Sequence, residues 1–181
     1  MASSAQLRML LDPAQAARSA GWRPVHDGVM GGVSDGRASA TDAGVRFAGT
    51  LSLANGGGFA SFRREVAWPE LAAWDGLRLR IRGDGRTYKL ILRTSARGVT
   101  WQTPFATRVG AWAAVDLPFD ELVPRWRGRP VVDAGPFDPG ELRELGLMIA
   151  DKQAGEFALL LASVEAFRRP AGPQAAPAMP R

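Results

Sequence analysis

The six residues Leu77-Arg78-Leu79-Arg80-Ile81-Arg82 alternate strictly between apolar and charged. That period of two is the mark of a strand with one face in a core and the other in water. It recurs along the chain. Val45, Phe47, Gly49, Leu51 and Leu53 share one face of the segment 45–53, and Tyr88, Leu90 and Leu92 share one face of 86–94. Further strands are expected at 37–41, 59–66, 99–106, 112–117, 145–150 and 156–167. Turn clusters separate them: Asp42-Ala43-Gly44, Asn55-Gly56-Gly57-Gly58, Asp75-Gly76, Gly83-Asp84-Gly85, Ala96-Arg97-Gly98 and Gln153-Ala154-Gly155. Parallel pairing needs crossover connections of a dozen or more residues, usually helical. The pattern offers none of that length, so the chain is expected to be all-β, an antiparallel β-sandwich or barrel.

One short helix is expected at the start, where Asp12-Pro13 supplies an N-cap and a first-turn proline and Gly21 a stop. Residues 1–11 read as an unordered lead-in. The division is then 1–19 for lead-in and helix, 20–167 for the sandwich, and 168–181 for a proline-rich, disordered tail. The chain has 181 residues, ample for one domain with a substantial core.

Composition narrows the chemistry. There is no cysteine and one histidine, His26, so thiolate metal sites are excluded and imidazole chemistry has a single candidate. The net charge is +5, but all but two of the 23 cationic residues are scattered arginines (the lysines are Lys89 and Lys152) rather than a block. No nucleic-acid partner is expected. No apolar run reaches the 18 residues of a membrane span, and no leader pattern is evident, so a cytoplasmic location is expected.

The stretch from Asp27 to Gly36, Asp-Gly-Val-Met-Gly-Gly-Val-Ser-Asp-Gly, is the most unusual in the chain. Gly32-Val33-Ser34-Asp35-Gly36 fits the G-x-S-x-G pattern of a nucleophile elbow. That motif needs a helix after the serine and, in the hydrolase order, a histidine later in the chain. A strand follows instead, and His26 comes first. Gly83-Asp84-Gly85 lacks the third glycine and the helix of a dinucleotide loop. The aspartates that could pair for acid–base work or hold calcium (Asp27, Asp35, Asp84, Asp116, Asp133, Asp151) sit mostly in turns and form no D-x-D-x-D loop. No catalytic residue, metal ligand or cofactor is expected. Asp27, Gly31, Gly32 and Ser34, with Asn55 and Gly57 of the later glycine turn, are expected to form a close-packed structural loop.

Six tryptophans supply the binding candidates. Trp22, Trp68 and Trp74 are expected to anchor the core. Trp101, beside Gln102 on the strand after Tyr88, is expected to be exposed on a concave face, where aromatics stack on sugars. Trp126, beside Arg125 and Arg127, is expected in a surface interaction patch.

Trp22, the 27–34 segment, Phe47-Ala48-Gly49-Thr50-Leu51-Ser52, Asn55 to Ser61, Gly83-Asp84-Gly85-Arg86 with Tyr88, Pro118-Phe119, Arg127-Gly128, Leu145-Gly146 and Gln153 to Phe157 form an ordered series. Over about residues 20–167 it resembles the complex I intermediate-associated protein family, whose eukaryotic members assist assembly of NADH:ubiquinone oxidoreductase; the chain looks like a compact bacterial member. The resemblance implies a galactose-binding-like jelly-roll sandwich and a non-catalytic assembly or chaperone role, with a protein partner such as a respiratory-complex subunit. The alternative is a carbohydrate-binding module working through Tyr88, Trp101 and neighbouring polar groups.

Overall fold

A computed structural model describes residues 5–95 and 98–170. It contains two antiparallel sheets that enclose one core. The strands are β1 (Gln6–Leu11), β2 (Arg23–His26), β3 (Asp35–Thr41), β4 (Gly44–Leu51), β5 (Ala60–Glu65), β6 (Gly76–Arg82), β7 (Thr87–Thr94), β8 (Thr100–Ala106), β9 (Trp112–Pro118), β10 (Val123–Trp126), β11 (Arg129–Pro130), β12 (Leu142–Ile149) and β13 (Gly155–Arg168). One sheet runs β3-β4-β13-β6-β9, with β1 also paired to β13; the other runs β11-β10-β8-β7-β12-β5-β2.

Alternation decides which side chains meet between the sheets. Val45, Phe47 and Leu51 of β4, Leu77, Leu79 and Ile81 of β6, and Phe157, Leu159 and Leu161 of β13 are buried from one side. Tyr88, Leu90 and Leu92 of β7 and Leu145, Leu147 and Ile149 of β12 are buried from the other. Phe47 stacks on Phe62 across the gap at 4.6 Å, and Trp22 sets its edge on Phe47 at 4.9 Å. Gly36 is required here, since a Cβ would stand 2.9 Å from the Phe62 ring.

Local signals account for the connections. Asp12 caps the short helix α1 (Pro13–Ala16) by accepting from the Gln15 amide at 2.7 Å while the Gln15 side chain returns to the Asp12 amide, a complete capping box. The hairpin from β10 to β11 is a two-residue turn in which Arg127 (φ 48°) and Gly128 (φ 79°) are both left-handed.

Two expectations need correction. Residues 6–11, read as a lead-in, form β1: the register runs from Gln6 opposite Arg168 to Leu11 opposite Val164. β4 pairs only with residues 155–161 of the 14-residue β13, and β1 takes the same flank beyond it. A strand edge with unmade hydrogen bonds captured a segment whose own periodicity is weak. Residues 123–130, for which no strand was expected, contain β10 and β11. Ala96 and Arg97 of one expected turn, and residues 171–181 of the expected tail, lie outside the described residues.

A caged aspartate beneath an uncharged, apolar loop tip

Asp27 is the first residue of a 3-10 turn (Asp27–Met30) that leaves β2. Its side chain is fully buried. Oδ1 accepts from the Ser34 amide at 3.0 Å. Oδ2 accepts from the Ser34 hydroxyl at 2.5 Å, the Gly58 amide at 2.6 Å and the Phe59 amide at 3.4 Å. One carboxylate therefore ties the 27–34 loop to the 52–59 loop, which arrives from β4 on its way to β5. Ser34 extends the seam, because its oxygen accepts from the Ser52 amide at 2.9 Å. Burial alone would push the Asp27 carboxyl up. The Ser34 hydroxyl and the amides of Gly58, Ser34 and Phe59 outweigh it and hold the group below the usual carboxylate range.

Glycines make the cage possible. A Cβ on Gly32 would stand 2.3 Å from Asp27 Cγ, and one on Gly57 would stand 2.5 Å from Oδ2. Gly31 meets nothing, but its φ of 88° ends the 3-10 turn in the left-handed region. Asn55, at φ 55°, performs the same bend in the second loop. Of the residues expected to form a structural loop, Asp27, Gly32, Ser34 and Gly57 meet at one carboxylate, while Gly31 and Asn55 bend the two loops.

Above this cage lies an uncharged surface. Residues 28–34 and 52–59 contain no charged side chain. Val29 is 76% exposed, Met30 65%, Val33 57% and Leu53 43%. Four large apolar side chains are therefore exposed on two loops that the Asp27 carboxylate fastens together. Neither the burial of Asp27 nor the exposure of these neighbours was evident from the glycine pattern.

The same contacts dispose of the nucleophile pattern. The Ser34 hydroxyl is spent on Asp27, and β3 rather than a helix follows it. His26 looks elsewhere. Its Nδ1 accepts from the Ser61 amide at 3.3 Å, which leaves the proton on Nε2 to be donated to the Gly36 carbonyl at 3.1 Å. That ring laces β2 to β3, joining the two sheets at their edges. Among the described residues, no three histidine, aspartate or glutamate side chains gather where a metal ion could sit.

The aromatic candidates separate. Trp101 is only 6% exposed and Tyr88 is buried too, so neither offers a ring to a ligand on an outer face. The reason is register. Leu92 pairs with Trp101 and Tyr88 with Phe105, so Trp101, Thr103 and Phe105 share the inward face of β8 and leave Gln102 outward. Trp101 packs edge-on against Phe137 at 5.6 Å. The Tyr88 hydroxyl donates to Asp84 at 3.0 Å; burial and then the Asp84 charge push the phenol up. Trp126 is 49% exposed, with the Arg127 guanidinium 4.9 Å from its ring centre. Trp22 is buried, and Trp68 and Trp74 pack against the core.

Comparisons with known proteins agree with this architecture. A family 11 carbohydrate-binding module of the cellulosomal cellulase Lic26A-Cel5E of Clostridium thermocellum superposes with a TM-score of 0.66 at 13% identity, over 91% of this chain and 95% of that one. The same family 11 module in complex with a β-1,3-1,4-mixed-linked tetrasaccharide superposes at 0.64 and 15% identity, over 91% and 96%. An agarase, AgWH50C, superposes at 0.62 and 13% identity, over 91% of this chain but 25% of that chain. Identities this low establish the shared galactose-binding-like jelly-roll sandwich and nothing further. No curated sequence matches the chain. The profile of the family described as Complex I intermediate-associated protein 30 (CIA30) matches residues 11–161. That span runs from the end of β1 into β13 and includes both loops of the Asp27 cage, and the chain is a member of the CIA30 family.

Proposed function

We propose that this protein is a non-catalytic, assembly-factor-like binding module that docks through the tip formed by Val29, Met30, Val33 and Leu53 onto an apolar surface of a respiratory-complex subunit. The observation that carries the reading is the tip itself: exposed apolar side chains on two uncharged loops clamped by a buried carboxylate. Preorganised loops lose little conformational entropy on binding, which suits recognition. The lack of lysine and arginine in both loops favours a protein over an anionic membrane, whose attraction depends on basic residues. Among the described residues no helix is long and apolar enough to cross a membrane. Family membership supports an assembly role. The serine and histidine that could have served catalysis are already bonded within the fold.

The test places a photo-crosslinking residue at Met30 in cells of the native host, with Val132, 92% exposed and away from both loops, as the control position. Crosslinking to a respiratory-complex subunit from position 30 and not from 132 is expected. The Val29→Ser, Met30→Ser, Val33→Ser triple variant should keep its melting temperature and bind that purified subunit at least tenfold more weakly. A triple variant that binds as tightly as the parent, or no specific crosslink from position 30, would overturn the reading.

A further inference from the structure

A second site lies on the outer face of the sheet that contains β3, β4 and β13. Cross-strand register places Asp35, Thr50 and Glu156 on one outward-facing rung, and Arg37, Ala48 and Ala158 on the next rung that faces the same way. Arg46 of β4 stands on the rung beyond, beside Ser39. Ala48 and Ala158 are short, so the β4 and β13 part of the middle rung sinks into a trough, with Asp35 and Glu156 on one side, Arg46 on the other and Arg37 at its β3 end. Its volume is about 650 Å³, within the range of small-molecule sites. Asp84 closes one end, with Oδ2 accepting from the Ala158 amide at 2.9 Å and the Tyr88 hydroxyl at 3.0 Å.

Apart from Asp84, the charged groups of this trough are wholly or half unspent. The guanidiniums of Arg37 and Arg46 and the carboxylate of Glu156 make no hydrogen bond or ion pair with any described residue. Asp35 uses one oxygen, Oδ1, on the Thr50 amide at 3.0 Å. Charge is balanced: Asp35, Asp84 and Glu156 face Arg37 and Arg46, and Arg86 stands 3.8 Å from Asp84. A bound anion would satisfy the arginines and be repelled by the carboxylates. A bound cation would do the reverse. Carboxylates only accept hydrogen bonds and guanidiniums only donate them, so a neutral ligand must do both along its length. Hydroxyl groups do both.

We infer that the trough over Ala48 and Ala158 binds a neutral, hydroxyl-rich ligand, a short saccharide held by its edges between Glu156 and Arg46. No aromatic ring is exposed on the floor, so recognition rests on hydrogen bonds to these charged groups rather than on stacking. The site is separate from the loop tip, and the inference stands or falls without the docking function proposed above.

The experiment follows amide chemical shifts of the full chain while cellotetraose, xylotetraose, mannotetraose and, separately, inorganic phosphate are added. At least one tetrasaccharide should shift the amides of Ala48, Thr50 and Ala158 saturably, and phosphate should not. The double variant Ala48→Ile, Ala158→Ile raises the outward-facing floor without touching the core. It should melt like the parent and bind at least tenfold more weakly. Arg46→Met and Glu156→Ala should each cost about tenfold, while Met30→Ser leaves saccharide binding unchanged. No response to any of the three tetrasaccharides, a response that survives the floor variant, or saturable phosphate binding would each overturn the inference.

Discussion

Two carboxylates of this chain are withdrawn from water, and they are held in opposite ways. Asp27 meets no cation; a hydroxyl and three amides satisfy it. Glu144, on the outer face of the seven-stranded sheet, is surrounded by charge. Its Oε2 bonds Arg23 at 2.7 Å, and Arg63 and Arg93 stand 3.5 and 3.7 Å from Oε1, which is buried without a hydrogen bond. Burial pushes the Arg63 guanidinium down, Glu144 holds it up, and Arg93 and Arg23 push it down again. Hydrogen bonds to backbone amides are directional and fix loop geometry. A glutamate among three guanidiniums neutralises a layer of like charge and tolerates loose geometry. The first arrangement positions a surface; the second quiets one.

That contrast predicts a ranking in thermal and chemical denaturation. Asp27→Ala should be the most damaging, because three amides and a serine hydroxyl lose their acceptor; a loss of about 3–5 kcal/mol is expected for a buried, charge-assisted network. Gly32→Ala should follow at roughly 2–3 kcal/mol, since its new methyl group overlaps the Asp27 carboxyl and the cage must open. Glu144→Gln should cost about 1–2 kcal/mol, because the amide keeps an acceptor for Arg23 while three clustered guanidiniums lose their neutralising charge. Gly31→Ala, where only a positive φ opposes the side chain, should cost about 1 kcal/mol. A Glu144→Gln variant as damaged as Asp27→Ala would erase the distinction.

Acid sharpens the same comparison. The carboxyl of Asp27 is depressed in the folded state, so its stabilisation is complete above the unfolded value of about 3.9 and is lost as pH falls through the folded one. Exposed Asp120, paired with Arg169, is lowered too and acts in the same direction. Below about pH 4 the parent should therefore lose stability more steeply than Asp27→Asn, whose amide cannot take up the proton. Parallel pH curves for the two proteins would contradict a charged Asp27.

Much of the frame was legible in the chain. Alternation in 77–82 and 86–94 and the glycine turns between strands report local geometry, which neighbouring residues determine. Trp101 was misplaced although its signal was present: it lies at even spacing from Thr103 and Phe105, so one buried member implies all three. β1 was missed because its strand character is borrowed from the open flank of β13. The Asp27 cage was half legible. The glycines announced a close approach, but what approaches is the 57–59 backbone, brought back by the β4–β5 connection. The trough depends on three strands in register, β3, β4 and β13, with over a hundred residues between its walls. No local pattern encodes that.

The most direct test of the account is amide hydrogen exchange in the parent and in Asp27→Asn. One carboxylate is held to knit two loops into a single apolar tip. Exchange should therefore accelerate together at Ser34 and at Gly58 and Phe59, by at least a hundredfold, while Leu90 and Leu147 in the core strands keep their protection. Acceleration in one loop alone, or in neither, would show that the loops are held independently and that Asp27 is not the fastening between them.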